Sequence, residues 1–255
     1  MESPVSPIVL FCDFGLPYTG QMKGRLVEEL GQDASNHPII DLMHDVPAHD
    51  VQAGSILLAA HADDFPLGSV FVCVVDPGVG SHERKPGVVR AGGRWFVGPL
   101  NGLFEHVLRR WDDAEVFEIT WQPPQLSASF HGRDLFSPVA AGLALAGGGS
   151  IQGLRLVPLS HVRHPEFSDN LAEIIYADGF GNLMTGISFS NLKDEDLIEV
   201  GGKIIPRART FSDVEPGALF VYENAVGLLE ISANLGRAEE ILGIGVGSSI
   251  KITGL

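Results

Sequence analysis

An aspartate sits where a β-branched run meets a Pro/Gly turn in Val74-Val75-Asp76-Pro77-Gly78-Val79-Gly80, and Arg84 follows eight residues on. A second segment, Ser129-Phe130-His131-Gly132-Arg133-Asp134, offers an imidazole, a guanidinium and another carboxylate within four positions. An Asp76–Arg84–His131 set of this kind can activate a small nucleophile without a metal or a covalent intermediate, because it combines a proton acceptor, a fixed positive charge and an imidazole. Two further segments can bind rather than react. Asp13 ends the apolar run Ile8–Cys12, and in open α/β sheets ligands bind at the carboxyl ends of strands. Asp13 there suits a ribose diol, or simply the N–H groups of its own turn. In Tyr176-Ala177-Asp178-Gly179-Phe180-Gly181-Asn182 a base or nucleoside can stack on Phe180 and hydrogen-bond Asn182. A tight turn between strands explains the same residues equally well.

Competing chemistries lack their spacing. Asp41, His44, Asp45, His49 and Asp50 cluster in sequence, but neither H-E-x-x-H nor C-x-x-C occurs, and no metal is expected. The turn after Asp76 has no Gly-Lys-Ser/Thr, so it is not a P-loop, and no Gly-x-Ser-x-Gly elbow exists. Gly243-Ile244-Gly245-Val246-Gly247 lies late in the chain with no helix expected after it, which argues against a dinucleotide site.

The elements needed to position these groups can be read from periodicity. Ile8–Cys12, Ile39–Leu42 and Val70–Val75 are short continuous apolar runs, the pattern of strands buried on both faces of a parallel sheet. Helices are expected over about 20–30, over 51–60 behind an Asp50 cap, from an Asn101 cap to about Arg110, and over 134–146 with Asp134 near its start. Val88–Arg90 and Trp95–Val97 flank Gly92-Gly93, a hairpin signal. Residues 1–157 therefore read as an α/β domain and 158–169 as a connector. From 170 to 255 strands with turn residues between them dominate (172–177, 197–200, 219–222, 228–231 and 249–252), so a smaller all-β domain is expected.

Composition narrows the partners. The 255-residue chain is 45% hydrophobic and 19% charged, a globular balance, and long enough for one large or two modest domains. A formal charge of -15, with 17 scattered Lys and Arg, argues against nucleic acid and tolerates a cationic small molecule. No apolar run reaches the ~18 residues of a membrane span and no leader pattern precedes Ile8, so a soluble, cytoplasmic protein with no membrane partner is expected. Cys12 and Cys73, both inside strand-like runs, are expected to be buried free thiols.

Taken in order, the segments resemble the S-adenosylmethionine (SAM) hydroxide adenosyltransferase family, the SAM hydrolases, which are related to fluorinases and chlorinases. The resemblance runs through Asp13-Phe-Gly15, Met22-Lys-Gly24, Asp41-x-x-His44, Asp50-Val51, Val75-Asp-Pro-Gly-Val-Gly80, Gly98-Pro-x-Asn-Gly102, Phe130-His-Gly-Arg-Asp134, Asp178-x-Phe-Gly-Asn182 and Gly227-Leu-Leu-Glu-Ile231. It implies hydrolysis of SAM to adenosine and L-methionine, with water or hydroxide attacking ribose C5′ in line with the departing sulfonium, and no metal or cofactor. It also implies an N-terminal α/β domain, a barrel-like C-terminal β domain and a homotrimer with active sites between subunits. By the same resemblance Asp76, Arg84 and His131 are catalytic and Asp13 binds the ribose hydroxyls. Phe180 and Asn182 would then bind adenine, with Asp178 and Tyr222 on the methionine side. The family's arginine usually lies seven residues after the aspartate, where this chain has Glu83, so Arg84 must reach the site from one position further on. A halogenase is disfavoured because fluorinases carry Tyr where this chain has Asp76, and an ionised Asp76 repels halide. A nucleoside-binding protein with little catalysis is the other alternative.

Overall fold

The computed structural model describes residues 6–81 and 83–253. The residues ahead of Ser6, where no leader pattern is read, and the last two of the β domain lie outside them. The chain divides into two compact units, Met1–Pro165 and Glu166–Leu255, a division that falls within the segment read as a connector.

In the first unit the strands are β1 (Ile8–Cys12), β2 (Ile39–Met43), β3 (Val70–Val74), β4 (Pro86–Ala91), β5 (Arg94–Pro99), β6 (Glu115–Ile119) and β7 (Leu154–Val157). They form one seven-stranded sheet in the order β2-β1-β3-β5-β4-β6-β7. The β2-β1-β3-β5 part is parallel and the β4, β6 and β7 pairings are antiparallel. Helices α1 (Tyr18–Leu30), α2 (Val51–His61), α3 (Glu105–Arg110) and α4 (Ser137–Leu145) accompany it. Every residue of β1 and β3 is buried, which is why both read as unbroken apolar runs. Each fully buried Val, Leu, Ile or Phe contributes about 1.5–3 kcal/mol, so this paired core holds the site-bearing strand ends in place. Gly92 and Gly93, with φ of 55° and 71°, make the positive-φ turn that joins β4 to β5.

One cap expectation is corrected. Asn101 does not cap α3, which begins after Phe104. Its side chain instead donates to the Val75 carbonyl and accepts from the Leu103 N–H, tying the loop after β5 to the end of β3. The helix expected over 134–146 is present: Gly132–Phe136 form a π-helical turn, with Asp134 in it, that runs directly into α4, and the Ser137 hydroxyl donates to the Gly132 carbonyl. Strands β6 and β7, not among the expected elements, extend the sheet on its antiparallel side.

The second unit contains β8 (Asn170–Ala177), β9 (Leu183–Ser188), β10 (Ile198–Val200), β11 (Lys203–Ile205), β12 (Leu219–Glu223), β13 (Leu228–Ala233), the short helix α5 (Ala238–Leu242) and β14 (Lys251–Ile252). Its strands make a four-stranded antiparallel sheet, β12-β13-β9-β8, and a three-stranded one, β11-β10-β14. Isolated bridges link Glu173 with Ser249 and Arg207 with Val221. An apolar core of residues such as Ile174, Leu183, Val221, Leu229 and Ile231 fills this unit.

Candidate active site

Asp13 and Asp76 emerge from neighbouring parallel strands, since Cys12 of β1 pairs with Val74 of β3. The Asp13 N–H donates to the Val74 carbonyl at 3.1 Å, which fixes the strand exit. Its carboxylate accepts from the His49 N–H at 3.0 Å. His49 holds φ at +65°, a conformation a non-glycine residue adopts only where its surroundings impose it, immediately before the Asp50 side chain caps α2 through Ala53 N–H.

Arg84 reaches the centre of the site despite its offset spacing. Its Nη2 lies 2.6 Å from Asp76 Oδ2 and donates to His131 Nδ1 at 2.7 Å. The Arg84 and Asp76 side chains are only 5% and 4% exposed, so the charges meet with little water to screen them. The Asp76 contact is an ion pair without aligned hydrogen-bond geometry, and among the described residues neither carboxylate oxygen has a well-aligned donor. Asp76 therefore keeps lone pairs to offer a third group. Burial pushes its carboxyl above the ordinary aspartate range; the Arg84 charge pulls the other way and the Asp13 charge adds to the rise. The guanidinium also lies over the Phe136 ring, 5.7 Å from its centroid.

A guanidinium has donors only, so His131 Nδ1 must be the acceptor and a neutral ring carries its proton on Nε2. Burial, then the Arg84 charge, holds His131 below the ordinary histidine value, with Asp134 acting weakly in the opposite sense. Asp134 accepts from Arg133 Nε at 2.6 Å and from the Ser127 N–H at 2.9 Å, so it anchors the segment that delivers His131.

A cavity of about 170 Å³ opens among Asp13, Phe14, His49, Asp76, Phe130 and His131. That is below the ~300–1,000 Å³ of whole-ligand pockets, so it suits one part of a ligand. Phe14, Tyr18 and Phe130 pack edge-to-face beside it, with centroids 5.6–6.2 Å apart. Phe14 and Phe130 lie inside motifs read from the sequence and His49 in the group considered for metal, but none of them, nor Tyr18, was expected to line a cavity. Asp41, from the group considered for metal, instead contacts Lys23 and sits 2.7 Å from His44 Nε2.

The remaining expected residues lie in the second unit. Asp178 accepts from the N–H groups of Phe180 and Asn182, each at 2.9 Å, and from Asn182 Nδ2 at 2.9 Å. Asn182 is thereby buried while Phe180 is 79% exposed on the same turn. Tyr222 donates its hydroxyl to Glu230 Oε1 at 2.6 Å. The structure thus brings Asp13, Asp76, Arg84 and His131 together in one unit, and Asp178, Phe180, Asn182 and Tyr222 belong to the other. Glu230, buried at 3% exposure, went unread as a site residue although it lies in the Gly227–Ile231 motif.

Fold and site together define a two-domain class: an α/β unit with an Asp–Arg–His cluster at its strand ends, then an antiparallel β unit. The chain belongs to the SAM hydroxide adenosyltransferase family, whose N-terminal domain matches residues 8–154 and C-terminal domain residues 172–251. An (R)-S-adenosyl-L-methionine hydrolase of Thermus thermophilus is 34% identical, covering 96% of this chain and 99% of its own. A protein of the same name from Salinispora arenicola is 37% identical over 84% of this chain and 86% of its own. Among solved structures, an uncharacterized conserved protein from Thermotoga maritima superposes with a TM-score of 0.76 at 32% identity, covering 96% of this chain and 99% of that one.

Proposed function

We propose that this chain hydrolyses S-adenosyl-L-methionine to adenosine and L-methionine. The observation that carries the reading is the Asp76–Arg84–His131 cluster, in which one guanidinium nitrogen contacts both a buried carboxylate and an imidazole. Water held between Asp76 and His131 donates a proton to Asp76, whose lone pairs are not taken up by aligned donors, and accepts from His131 Nε2–H. Its oxygen forms a bond to ribose C5′ as the C5′–S bond breaks and the electron pair returns to sulfur. The released proton passes from Asp76 to solvent. Methionine leaves as a neutral thioether, so no acid is needed on that side. Arg84 limits the cost of hydroxide character on the water, and burial keeps that charge effective.

Asp13 is assigned to the ribose hydroxyls, Phe180 and Asn182 to adenine, and Asp178 and Tyr222 to the methionine side. The α/β unit's small cavity is in keeping with a site completed by other residues, and we propose a homotrimer with active sites between subunits. The bridges that link the two C-terminal sheets support a barrel-like closure of that domain. Among the described residues no helix is long and apolar enough to cross a membrane. The free, buried Cys12 and Cys73 are in keeping with a cytoplasmic setting. The test is incubation with SAM, following products by chromatography with and without halide. Equal amounts of adenosine and methionine, unaffected by halide, are expected. A halogenated nucleoside, or adenosine binding with no products, would overturn the assignment.

A further inference from the structure

Glu230 is a buried carboxylate that no cation among the described residues neutralises. Its donors are all uncharged: Tyr222 Oη at 2.6 Å and Ser232 Oγ at 3.4 Å on Oε1, and Asn224 Nδ2 at 2.9 Å on Oε2. Glu230 lies directly opposite Tyr222 across the β12–β13 pairing, so the contact is built into strand register. Burying an anion with only neutral partners is costly, and a core that needed only a hydrogen-bond acceptor could use an amide instead. The charge itself therefore calls for an explanation.

We infer that Glu230 is a positioning residue that turns the Tyr222 hydroxyl into an acceptor for the cationic amino-acid end of the substrate. A phenol has one proton, and here it is committed to Glu230. The oxygen can then present only lone pairs to a ligand, which suits an ammonium or sulfonium and repels a carboxylate. Burial first, then the hydrogen bond from Tyr222 to Glu230 and the charge of Glu230, raise the phenol above its ordinary value, so the proton stays on the phenol oxygen. Asp178 adds its charge in the same neighbourhood. Asn224 donates from Nδ2 to Glu230 and accepts on Oδ1 from the Val226 and Leu228 N–H groups. Glu230 thus also holds the turn between β12 and β13 through Asn224.

The inference rests on the hydrolase reading and deepens it. Because Asn224 Oδ1 is held by two N–H groups and its Nδ2 must donate, a glutamine at 230 turns its oxygen to Asn224 and its N–H₂ to the Tyr222 oxygen, which then accepts and points its own proton outward. Glu230→Gln is expected to raise KM for SAM about tenfold, the scale of a hydrogen bond to a charged group, with adenosine affinity by calorimetry unchanged because adenosine lacks the cationic end. Tyr222→Phe gives the same split, and the double variant is no worse than either single one, since both remove one coupled device. Equal loss of SAM and adenosine affinity, no loss of either, or additive effects would overturn the inference. If Glu230→Gln does not fold, Tyr222→Phe alone decides: loss confined to SAM supports the assignment and equal loss refutes it. Absence of SAM turnover in the unaltered protein would instead strike the hydrolase reading, and SAM against adenosine binding by calorimetry would still test Glu230.

Discussion

Replacing Arg84 separates its two duties. In Arg84→Ala, Asp76 loses the Arg84 charge that lowers its pKa and keeps the burial and the Asp13 charge that raise it, so that pKa rises further. In the proposed mechanism Asp76 acts ionised, so activity is lost as pH falls through its pKa and the acid limb of kcat/KM is expected to move to higher pH. His131 also loses the donor that fixes its tautomer, the 2.7 Å bond from Nη2. Removing a preorganised donor of this type typically costs ~10²–10³ in rate, and a fall of that size is expected at neutral pH. Arg84→Lys keeps the charge but has no planar fork to meet both partners, so its acid limb stays near that of the unaltered enzyme while kcat falls about tenfold. The assay is initial rate against pH, with adenosine quantified and folding checked by circular dichroism. An unshifted acid limb and kcat/KM within about threefold in Arg84→Ala would refute the reasoning.

His131→Ala should lower kcat about 100-fold with little change in KM, because the ring acts on water rather than on the nucleoside; a matched rise in KM would move it to binding. Phe180→Ala should weaken adenosine binding by about 1–3 kcal/mol with kcat unchanged, as read by calorimetry and steady-state kinetics, since an exposed ring on a hydrogen-bonded turn offers a stacking face. Glu105, its side chain fully buried, accepts from Arg109, Arg163 and the His164 N–H. Glu105→Ala removes the shared acceptor of Arg109, which keeps the His164 carbonyl, and of the partly exposed Arg163, and should destabilise the protein by about 1–3 kcal/mol in urea unfolding. Burial alone would raise the Glu105 carboxyl, but the Arg163, His164 and Arg109 bonds outweigh it and the net shift is downward. Its stabilisation is thus present above the ordinary glutamate range and lost as pH falls through the folded-state value, so Glu105→Gln should flatten the acid side of the stability curve.

How much could be read in advance depended on whether chemistry and periodicity coincided. The runs Ile8–Cys12 and Val70–Val74 are uninterrupted because both faces are buried, and their ends fix Asp13 and Asp76. Leu154-Arg-Leu156 alternates and hints at β7, whereas Glu115-Val-Phe-Glu-Ile119 breaks the period at Val116-Phe117, so β6 carries no period-2 signal. Leu183–Ser188 is harder, because Gly186 and Thr185 dilute its strand character although pairing on both edges buries it. Asn101 has the residue type of a cap, but its position serves the end of β3. Arg84 was legible in type and displaced in spacing; the Gly78 and Gly80 turn lets its side chain reach Asp76 across the loop. His49 was legible only as a member of the group considered for metal, and Glu230 not at all as a site residue. One acts through a backbone N–H at positive φ, and the other through a cross-strand contact that linear sequence does not display.

The most direct test of water attack at C5′ is a turnover experiment in H₂¹⁸O, with mass analysis of both products. Water attack at C5′ places a single ¹⁸O in the 5′-hydroxyl of adenosine and none in methionine. Unlabelled adenosine, label in methionine, or no adenosine at all would contradict it.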